Sequence, residues 1–444
     1  MRINRRQFLK GASASAFLTG TNLLGLATRR AYAATANGRA VVMINLSGGN
    51  DYLNMVIPLS DVAGFPQRTR YEQGRPDLAV PTSLLGATQI GNDAVLNHQI
   101  ALHPQMTGLA TLYQEGKLAV VNGVGYPNHS LSHFEAEAAW WAGNPSPQGT
   151  GWLGRFLDAN LPLDITHALS FNGEVNPTFS AFSADALGVR EIARFDLPDD
   201  REGEFRDLEN RRPAWANIFT DDRDPAELLG KIARAGGNLI DKSALFDTID
   251  VEEWGSRNAN GESDLAFQMQ QVASALRHDL LNVGNPTQQT GLSFFHAQIG
   301  GFDTHSQQGR DDPNAWHPSL MRWISQAMTN FQRDLEDLGL ADKVVTLVYS
   351  EFGRRIDQND SGNSAGTDHG TANAMFVMGD DAVLNGGMYG QMPDISNPDE
   401  HDNMQIHVDF RNVYASVIAE WLGADPVPLL GGGFTPMGLF VPAP

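Results

Sequence analysis

The sequence "GLSFFHAQIGGFDTHSQQ" (residues 291–308) joins an apolar run to a polar segment that contains Asp303 and His305. A short apolar run bounded by glycines is typical of a strand that is buried on both faces of a parallel sheet. Gly300 and Gly301 allow the sharp turn that such a strand end needs. In open parallel sheets, ligands bind beyond the carboxyl ends of the strands. The segment therefore predicts a strand that brings an aspartate and a histidine to a binding site.

Four other apolar runs have the same character: "RAVVMINL" (39–46), "KLAVVNGVG" (117–125), "KVVTLVYS" (343–350) and "NAMFVMG" (373–379). Segments with helical periodicity lie between the runs. In the clearest one, apolar residues recur at every third or fourth position from Leu320 to Leu338, and Gly339 is placed to end the helix. This alternation predicts an α/β fold, a doubly wound and mostly parallel sheet flanked by helices.

Carboxylates and imidazoles follow several of the apolar runs. Both donor types suit Zn²⁺, whereas Mn²⁺, Mg²⁺ and Ca²⁺ prefer oxygen, so the pattern predicts a divalent metal of one of these kinds. The candidate ligands are Asp51, Asp303, His305, Glu351, Asp368 and His369. A polar loop with hydrogen-bonded histidines and no metal is the alternative. If a metal binds here, the side chains of Asp303, His305 and His369 must converge on one point. His369 would reach this point from a glycine-rich loop.

The sequence "GYPNHSLSHFEAEAAWWAG" (125–143) places Ser132 at the start of a helix, with Glu135 as a capping-box partner. The simpler interpretation is a helix cap. The functional interpretation is a nucleophilic hydroxyl at a helix N-terminus, where phosphate or sulfate binds well. His133 is equally consistent with packing, hydrogen bonding or ligation. Arg354 is a candidate for bidentate binding of an anionic oxygen, with a surface salt bridge as the alternative.

Residues 1–33 have the features of a twin-arginine signal peptide: Arg5-Arg6 is followed by a weakly apolar stretch and by the small-x-small cleavage site Ala31-Tyr32-Ala33. We predict cleavage after Ala33, the twin-arginine translocase as an export partner, and a periplasmic or secreted protein. The apolar stretch is too short and too interrupted for a stable membrane span.

The chain has 444 residues, a formal net charge of −21 and no cysteine. The acidic balance disfavours nucleic acid as a partner, and the missing cysteines exclude disulfides and thiolate chemistry. Residues 34–444 show no low-complexity linker and no internal repeat. We therefore predict one large domain, with a charged insertion around residues 189–263 in which no substrate-specific motif is recognised.

Several motifs in combination resemble the twin-arginine-exported bacterial family called domain of unknown function 1501 (DUF1501). They are "NLSGGNDYLNMVIP" (45–58), residues 103–143, "GGFDTHSQQ" (300–308), residues 349–379 and "VDFRNVYASVIAEWLG" (408–423). That family is assigned to the alkaline-phosphatase-like superfamily. The resemblance implies a doubly wound α/β fold and a two-metal hydrolase ancestry with no established substrate, and it covers most of the chain after residue 33.

The resemblance also implies roles for individual residues. Asp51 is similar to the aspartate that bridges metal and nucleophile, and Ser132 stands in the place of the nucleophile. Asp303, His305 and His369 resemble the ligands of one metal, although the usual spacing of the first two is wider. Glu351 stands where the superfamily has the aspartate of an Asp-His pair, but Phe352 occupies the histidine position. This departure puts a second metal in doubt, and Asp368 or Asn50 could compensate for it.

These patterns together predict an exported, metal-dependent hydrolase of phosphate or sulfate esters with Ser132 as nucleophile. The alternative is a catalytically inactive periplasmic binding or assembly protein that retains the hydrolase fold.

Overall fold

The computed structural model describes residues 38–93, 95–145, 149–163, 166–195, 219, 227–251, 263–282 and 288–441. The predicted signal segment at residues 1–33 lies outside these ranges, and so do parts of the predicted insertion at residues 189–263. The boundaries of the predicted single domain therefore stay a prediction.

Strands are numbered in chain order. They are β1 (Ala40–Leu46), β2 (Val56–Pro58), β3 (Gln89–Asn92), β4 (Gln99–Leu102), β5 (Leu118–Gly125), β6 (Ala168–Ser170), β7 (Ala186–Gly188), β8 (Phe294–Ile299), β9 (Val344–Tyr349), β10 (Gly353–Asn359), β11 (Gly366–Gly370), β12 (Asn373–Met378), β13 (Gly387–Gly390) and β14 (Val408–Asp409).

Helices are numbered in the same way. They are α1 (Tyr52–Met55), α2 (Gln67–Gly74), α3 (Thr107–Gln114), α4 (His133–Ala142), α5 (Trp152–Asn160), α6 (Leu228–Phe246), α7 (Asp264–Leu281), α8 (Trp316–Leu338), α9 (Phe410–Ser416) and α10 (Val427–Leu430). Helix α8 ends at Gly339 as predicted, because its φ of 67° is a left-handed conformation that glycine adopts without strain.

Within the described residues, the central sheet has nine strands in the order β13–β5–β12–β9–β1–β8–β6–β7, with β14 paired to β5. Strand β1 pairs in parallel with both β8 and β9. Strand β12 runs antiparallel to its neighbours β5 and β9. The apolar runs that precede the predicted site thus form three adjacent parallel strands, and their carboxyl ends meet at one edge of the sheet.

Helices cover both faces of this sheet. Val42 and Ile44 of β1 belong to a core with Leu320 of α8, while Val41 faces the other way and joins a core with Trp140 of α4. Because both faces are buried, β1 is apolar throughout instead of alternating. Each such side chain contributes about 1.5–3 kcal/mol through burial. The predicted doubly wound, mostly parallel sheet is confirmed.

The predicted glycine-rich loop around Asp368 and His369 is a strand in the structure. Residues 366–370 form β11, which pairs with β10 as an antiparallel hairpin. A side chain at Gly366 would place its Cβ 2.3 Å from the backbone carbonyl carbon of His305. Glycine occurs here because two backbones approach closely, and this requirement looks the same in a sequence as the need for a turn.

No helix among the described residues has the length and apolar character needed to cross a membrane.

Candidate metal centre

Strand ends β8 and β9, the β10–β11 hairpin and the start of α4 meet at the carboxyl edge of the sheet. Asp303 and His305 follow β8, and Glu351 follows β9. Asp368 and His369 lie on β11, and His133 is the first residue of α4. The sequence therefore predicted five of these six polar side chains as candidate ligands.

The Asp303 carboxylate is the centre of this arrangement. Its Oδ1 atom lies 3.1 Å from Nε2 of His305 and 3.1 Å from Nε2 of His369. The two Nε2 atoms are themselves 3.0 Å apart. Nε2 of His133 lies 3.7 Å from the other oxygen of Asp303. Potential ligand atoms of His133, Asp303 and His369 all lie within 4.8 Å of one another. We refer to Asp303, His133, His305 and His369 as the Asp303 cluster.

The convergence demanded of Asp303, His305 and His369 is thus present in the structure. That these groups bind an ion stays a prediction.

Hydrogen bonds behind the rings orient two of the histidines. Nδ1 of His369 lies 2.9 Å from the Leu131 carbonyl oxygen, which can only accept a hydrogen bond. The proton of a neutral ring therefore sits on Nδ1, and Nε2 presents its lone pair to Asp303 and His305. Nδ1 of His305 lies 3.0 Å from Oδ1 of Asp368, which also accepts a bond from Asn359. Asp368, a predicted ligand, thus lies behind His305 and orients it.

His133 is held by Glu351. Its Nδ1 lies 2.8 Å from Oε1 of Glu351, and the backbone N–H of Gly48 donates to the same oxygen at 2.8 Å. The Phe352 ring packs against His133 and His369, with centroids 4.9 and 4.6 Å away. The imidazole that is missing at position 352 is therefore supplied beside Glu351 by His133. Glu351, also a predicted ligand, orients this ring.

Charges around the cluster favour an ionised carboxylate. Partial burial acts to raise the pKa of Asp303, but the hydrogen bond and the charge of Arg354 outweigh it and hold the pKa below its usual value. Burial lowers the pKa of His369. The hydrogen bond to Glu351 raises the pKa of His133. At neutral pH the centre therefore has an anionic oxygen facing a neutral His369 ring, which is the state that binds cations.

Arg354 does not occupy a substrate-binding position, contrary to the sequence-based prediction. Its side chain is fully buried, and Nη2 donates to Oδ1 of Asp303 at 2.8 Å. Its other donors reach backbone carbonyl oxygens of residues 48, 49, 302 and 367. One guanidinium therefore binds the loops after β1 and β8 and strand β11. Arg354 thus holds Asp303 from the interior, with its donors engaged by Asp303 and by backbone carbonyls.

Asp51 is likewise turned away from the cluster. It is completely buried, and Oδ2 accepts a bond from Arg75 at 2.6 Å and another from Gln308 at 2.5 Å. Burial acts to raise the pKa of Asp51, but the charge and hydrogen bond of Arg75 outweigh it, so the pKa lies below its usual value. Because Arg75 neutralises it, Asp51 does not need a metal ion for charge compensation, and its ligand role is not supported by this geometry.

Ser132 is the N-cap residue of α4, as predicted, but the capping box does not form. The Ser132 side chain makes no capping bond within the described part of the chain, and Glu135 accepts a bond from Ser130 at 2.6 Å instead. Ser132 is exposed. It stands between Leu131, whose carbonyl orients His369, and His133. Its sequence neighbours on both sides therefore contact the cluster, and Ser132 itself is open to solvent.

Glu137 is a group that the sequence did not single out. It lies one helical turn after His133, and its Oε1 accepts bonds from Asn45 and Ser47 at 3.1 Å each. Burial and then the nearby charge of Glu351 raise the pKa of Glu137. The spacing of four residues between His133 and Glu137 on a helix was the signal that places both on one face.

Comparison with protein families gives a match to the family described as "Protein of unknown function (DUF1501)". Residues 258–421 match this family. The resemblance predicted from the motifs is confirmed over these residues. No match was found among the curated proteins.

Solved structures similar to the chain include three from bacteria. Lipoteichoic acid synthase LtaP from Listeria monocytogenes is 12% identical over 79% of this chain and 67% of that one, with a TM-score of 0.34. The PsFucS1 sulfatase from Pseudoalteromonas sp. is 10% identical over 90% and 72%, with a TM-score of 0.35. Alkaline phosphatase from the Antarctic bacterium TAB5 is 12% identical over 79% and 94%, with a TM-score of 0.27.

The segment matched to DUF1501 contributes Asp303, His305 and His369 to the cluster. His133 and Ser132 come from outside it. The candidate centre is therefore assembled from the DUF1501 segment and from the start of α4.

Proposed function

We propose that this protein is an exported, metal-dependent hydrolase of phosphate or sulfate esters. The observation that carries the proposal is the meeting of one carboxylate and three imidazole nitrogens in the Asp303 cluster, beside the N-terminus of α4. Export by the twin-arginine translocase to the periplasm or medium is part of the proposal and rests on residues 1–33.

The residues fit a divalent cation of borderline character. Asp303, His133, His305 and His369 would hold it, and this donor set suits Zn²⁺ best, with Mn²⁺ next and the oxygen-preferring Mg²⁺ and Ca²⁺ last. The hydrogen bonds that His369 donates to the Leu131 carbonyl and that His133 donates to Glu351 support this role, since ligating histidines use their second nitrogen in this way. When bound, such a cation polarises the ester and stabilises the charge that develops on the transferred group.

One cation per chain is expected. The family resemblance implies that Asp51 and Glu351 would be ligands of a second metal. Asp51 is neutralised by Arg75, and Oε1 of Glu351 already accepts bonds from His133 and Gly48. Oδ2 of Asp51 and Oε1 of Glu351 are therefore already engaged by protein donors.

Helix α4 provides the place for the ester. The first backbone N–H groups of a helix have no intrahelical acceptor, and together with the helix dipole they favour a phosphate or sulfate group. The Ser132 oxygen then attacks phosphorus or sulfur, the ester C–O–P or C–O–S linkage releases its alcohol, and the hydroxyl proton ends on that alcohol. Water subsequently cleaves the seryl ester, which returns the serine and releases phosphate or sulfate.

A catalytically inactive binding or assembly protein is the second candidate. The burial of Arg354 favours it, because the guanidinium that was expected to hold an anionic substrate instead donates hydrogen bonds to backbone carbonyls. An interaction with a protein partner that survives the Ser132→Ala substitution, together with no ester turnover, would support this candidate.

The deciding experiment uses protein lacking residues 1–33, stripped of metal and reloaded separately with Zn²⁺, Mn²⁺, Mg²⁺ or Ca²⁺. We expect turnover of at least one aryl phosphate, phosphodiester or aryl sulfate with Zn²⁺ or Mn²⁺, and its loss in the Ser132→Ala variant. Equal rates in wild type and variant, or no rate with any ion, would reject the hydrolase.

A further inference from the structure

Gln308 ends the segment with which the sequence analysis began, and it is fully buried. Its Oε1 atom accepts hydrogen bonds from the hydroxyls of Thr304, at 3.0 Å, and Thr367, at 2.8 Å. Its Nε2 atom donates to Oδ2 of Asp51 at 2.5 Å. A single amide therefore contacts three polar side chains from three different parts of the sequence.

The two threonines belong to the segments that carry the cluster. Thr304 lies between Asp303 and His305, and Thr367 lies two residues before His369. The segments are also joined through their backbones, because the N–H of Thr367 donates to the carbonyl of Thr304 at 3.0 Å. The Gln308 amide thus connects the side chains of the same two segments that carry Asp303, His305 and His369.

Asp51 fixes which way this amide points. A carboxylate can only accept hydrogen bonds, so the NH₂ end of Gln308 must face Asp51 and the oxygen must face both threonines. Both hydroxyls then act as donors. Arg75, also fully buried, pairs with the same Asp51 oxygen at 2.6 Å and keeps the carboxylate ionised. The buried ion pair of Asp51 and Arg75 therefore determines which groups donate and which accept in this network.

We propose that Gln308 is a positioning residue of the metal centre, and that the buried pair of Asp51 and Arg75 sets its orientation. Gln308 holds Thr304 and Thr367 together, so that the Nε2 atoms of His305 and His369 stay at a separation suited to one shared ion. This inference rests on the proposed function in that it requires the Asp303 cluster to bind a cation. It gives Asp51 a role in the centre that does not involve ligation.

The test measures the affinity for Zn²⁺ by competition with a chromogenic chelator, and the thermal midpoint of the metal-free protein in parallel. The Gln308→Met substitution keeps the length of the side chain and removes all three hydrogen bonds. We expect the dissociation constant for Zn²⁺ to rise by about 10–100-fold, which is the usual effect of losing a group that orients metal ligands.

Gln67 provides the matched control. It is also fully buried, and its amide donates to the carbonyl of Pro393 and accepts from the N–H of Ile395, both at 3.0 Å. The Gln67→Met substitution should lower the thermal midpoint as the Gln308→Met substitution does, but it should leave the affinity for Zn²⁺ unchanged. If Gln308 only stabilised the fold, the two variants would have the same affinity for Zn²⁺.

A charge swap gives a second measurement if the Gln308→Met variant does not fold. The Gln308→Glu substitution places two carboxylates together in the interior and should weaken Zn²⁺ binding. Adding Asp51→Asn restores one carboxylate and one amide in exchanged positions, so the double variant should regain an affinity within a few-fold of the wild type.

Two failures are distinguishable. If the wild type binds Zn²⁺ and the Gln308→Met variant binds it as tightly as the Gln67→Met variant does, or if the charge swap brings no recovery, the positioning role is wrong and the proposed function stands. If the wild type binds none of the four cations, the proposed function is wrong, and the role of Gln308 is overturned with it.

Discussion

Nδ1 of His133 lies 2.8 Å from Oε1 of Glu351, although the two residues are 218 positions apart in the chain. This contact supplies Glu351 with an imidazole partner at the place where Phe352 interrupts the expected Asp-His pair. The Phe352 ring packs on the same imidazole. The centre therefore obtains its third histidine from helix α4, and the predictions below follow from that assembly.

Zn²⁺ should stabilise the protein through the Asp303 cluster. Free Zn²⁺ at 100 times its dissociation constant should raise the free energy of unfolding by about 2.7 kcal/mol, since an ion that binds only the folded state shifts the equilibrium by mass action. Thermal melting with and without a chelator measures this. The His369→Ala variant should lose the shift, and the His401→Ala variant, altered at a mostly exposed histidine, should retain it. A full shift in His369→Ala would contradict the site.

Ser132→Ala should abolish ester turnover and leave Zn²⁺ bound, because Ser132 lies beside the cluster without contributing to the ligand set. Steady-state rates and elemental analysis of the same sample measure the two effects. Ser361 is a suitable control, since it is also an exposed helix-capping serine whose side chain makes no capping bond within the described residues. Ser361→Ala should keep the wild-type rate. Residual turnover in Ser132→Ala equal to that of the control would exclude the serine as nucleophile.

Arg354→Met should destabilise the fold rather than weaken substrate binding. Its removal leaves several buried carbonyl oxygens and the Asp303 carboxylate without a donor, and we expect a loss of about 3 kcal/mol or more in the free energy of unfolding. Urea unfolding of the metal-free protein measures it. The partly exposed neighbour Arg355 is the control, and Arg355→Met should change stability by less than about 1 kcal/mol. If the Arg354→Met variant kept its stability but had a raised KM, Arg354 would bind the anionic substrate after all.

His296 should make the protein less stable in mild acid. Burial lowers its pKa to about 3 in the folded state, whereas an unfolded histidine has a pKa of about 6.5. Between these values the unfolded chain binds a proton at this histidine that the folded chain does not. The contribution of His296 to the free energy of unfolding is therefore fully present above about pH 6.5 and decreases as the pH falls towards 3.

At pH 5 the loss amounts to about 2 kcal/mol from this group. Urea unfolding at pH 8 and pH 5 measures it, and the His296→Gln variant should show a smaller difference between the two pH values than the wild type. The exposed His401, substituted in the same way, should leave the difference unchanged. An identical pH dependence in wild type and His296→Gln would show that burial does not hold this histidine neutral.

Export should depend on Arg5 and Arg6. Changing both to lysine removes the pair that the twin-arginine translocase recognises, so the protein should accumulate in the cytoplasm with residues 1–33 uncleaved. Cell fractionation followed by N-terminal sequencing measures this. Changing Arg29 and Arg30 to lysine, outside the motif, serves as the control and should leave export intact. Export of the Arg5→Lys/Arg6→Lys variant would point to another route.

The sequence was sufficient for the elements whose signals are local. The apolar runs that became β1, β8 and β9 are continuous because both faces of each strand are buried, and that property can be recognised without knowing the partners. The positions of Asp303 and His305 immediately after such a run placed them at the carboxyl edge of the sheet. His369 was likewise expected at this site, although its strand was mistaken for a loop.

The tertiary structure alone decided the partner of each polar group. Asp51 and Glu351 both follow central strands, yet Asp51 meets Arg75 in the interior and Glu351 meets His133 at the edge. A sequence gives the type of a side chain and its place along the chain. The direction in which it points and the charge that it meets depend on contacts between distant segments. Because a buried charge needs a partner at a few ångströms, those contacts separate the candidate ligands from the groups that orient them.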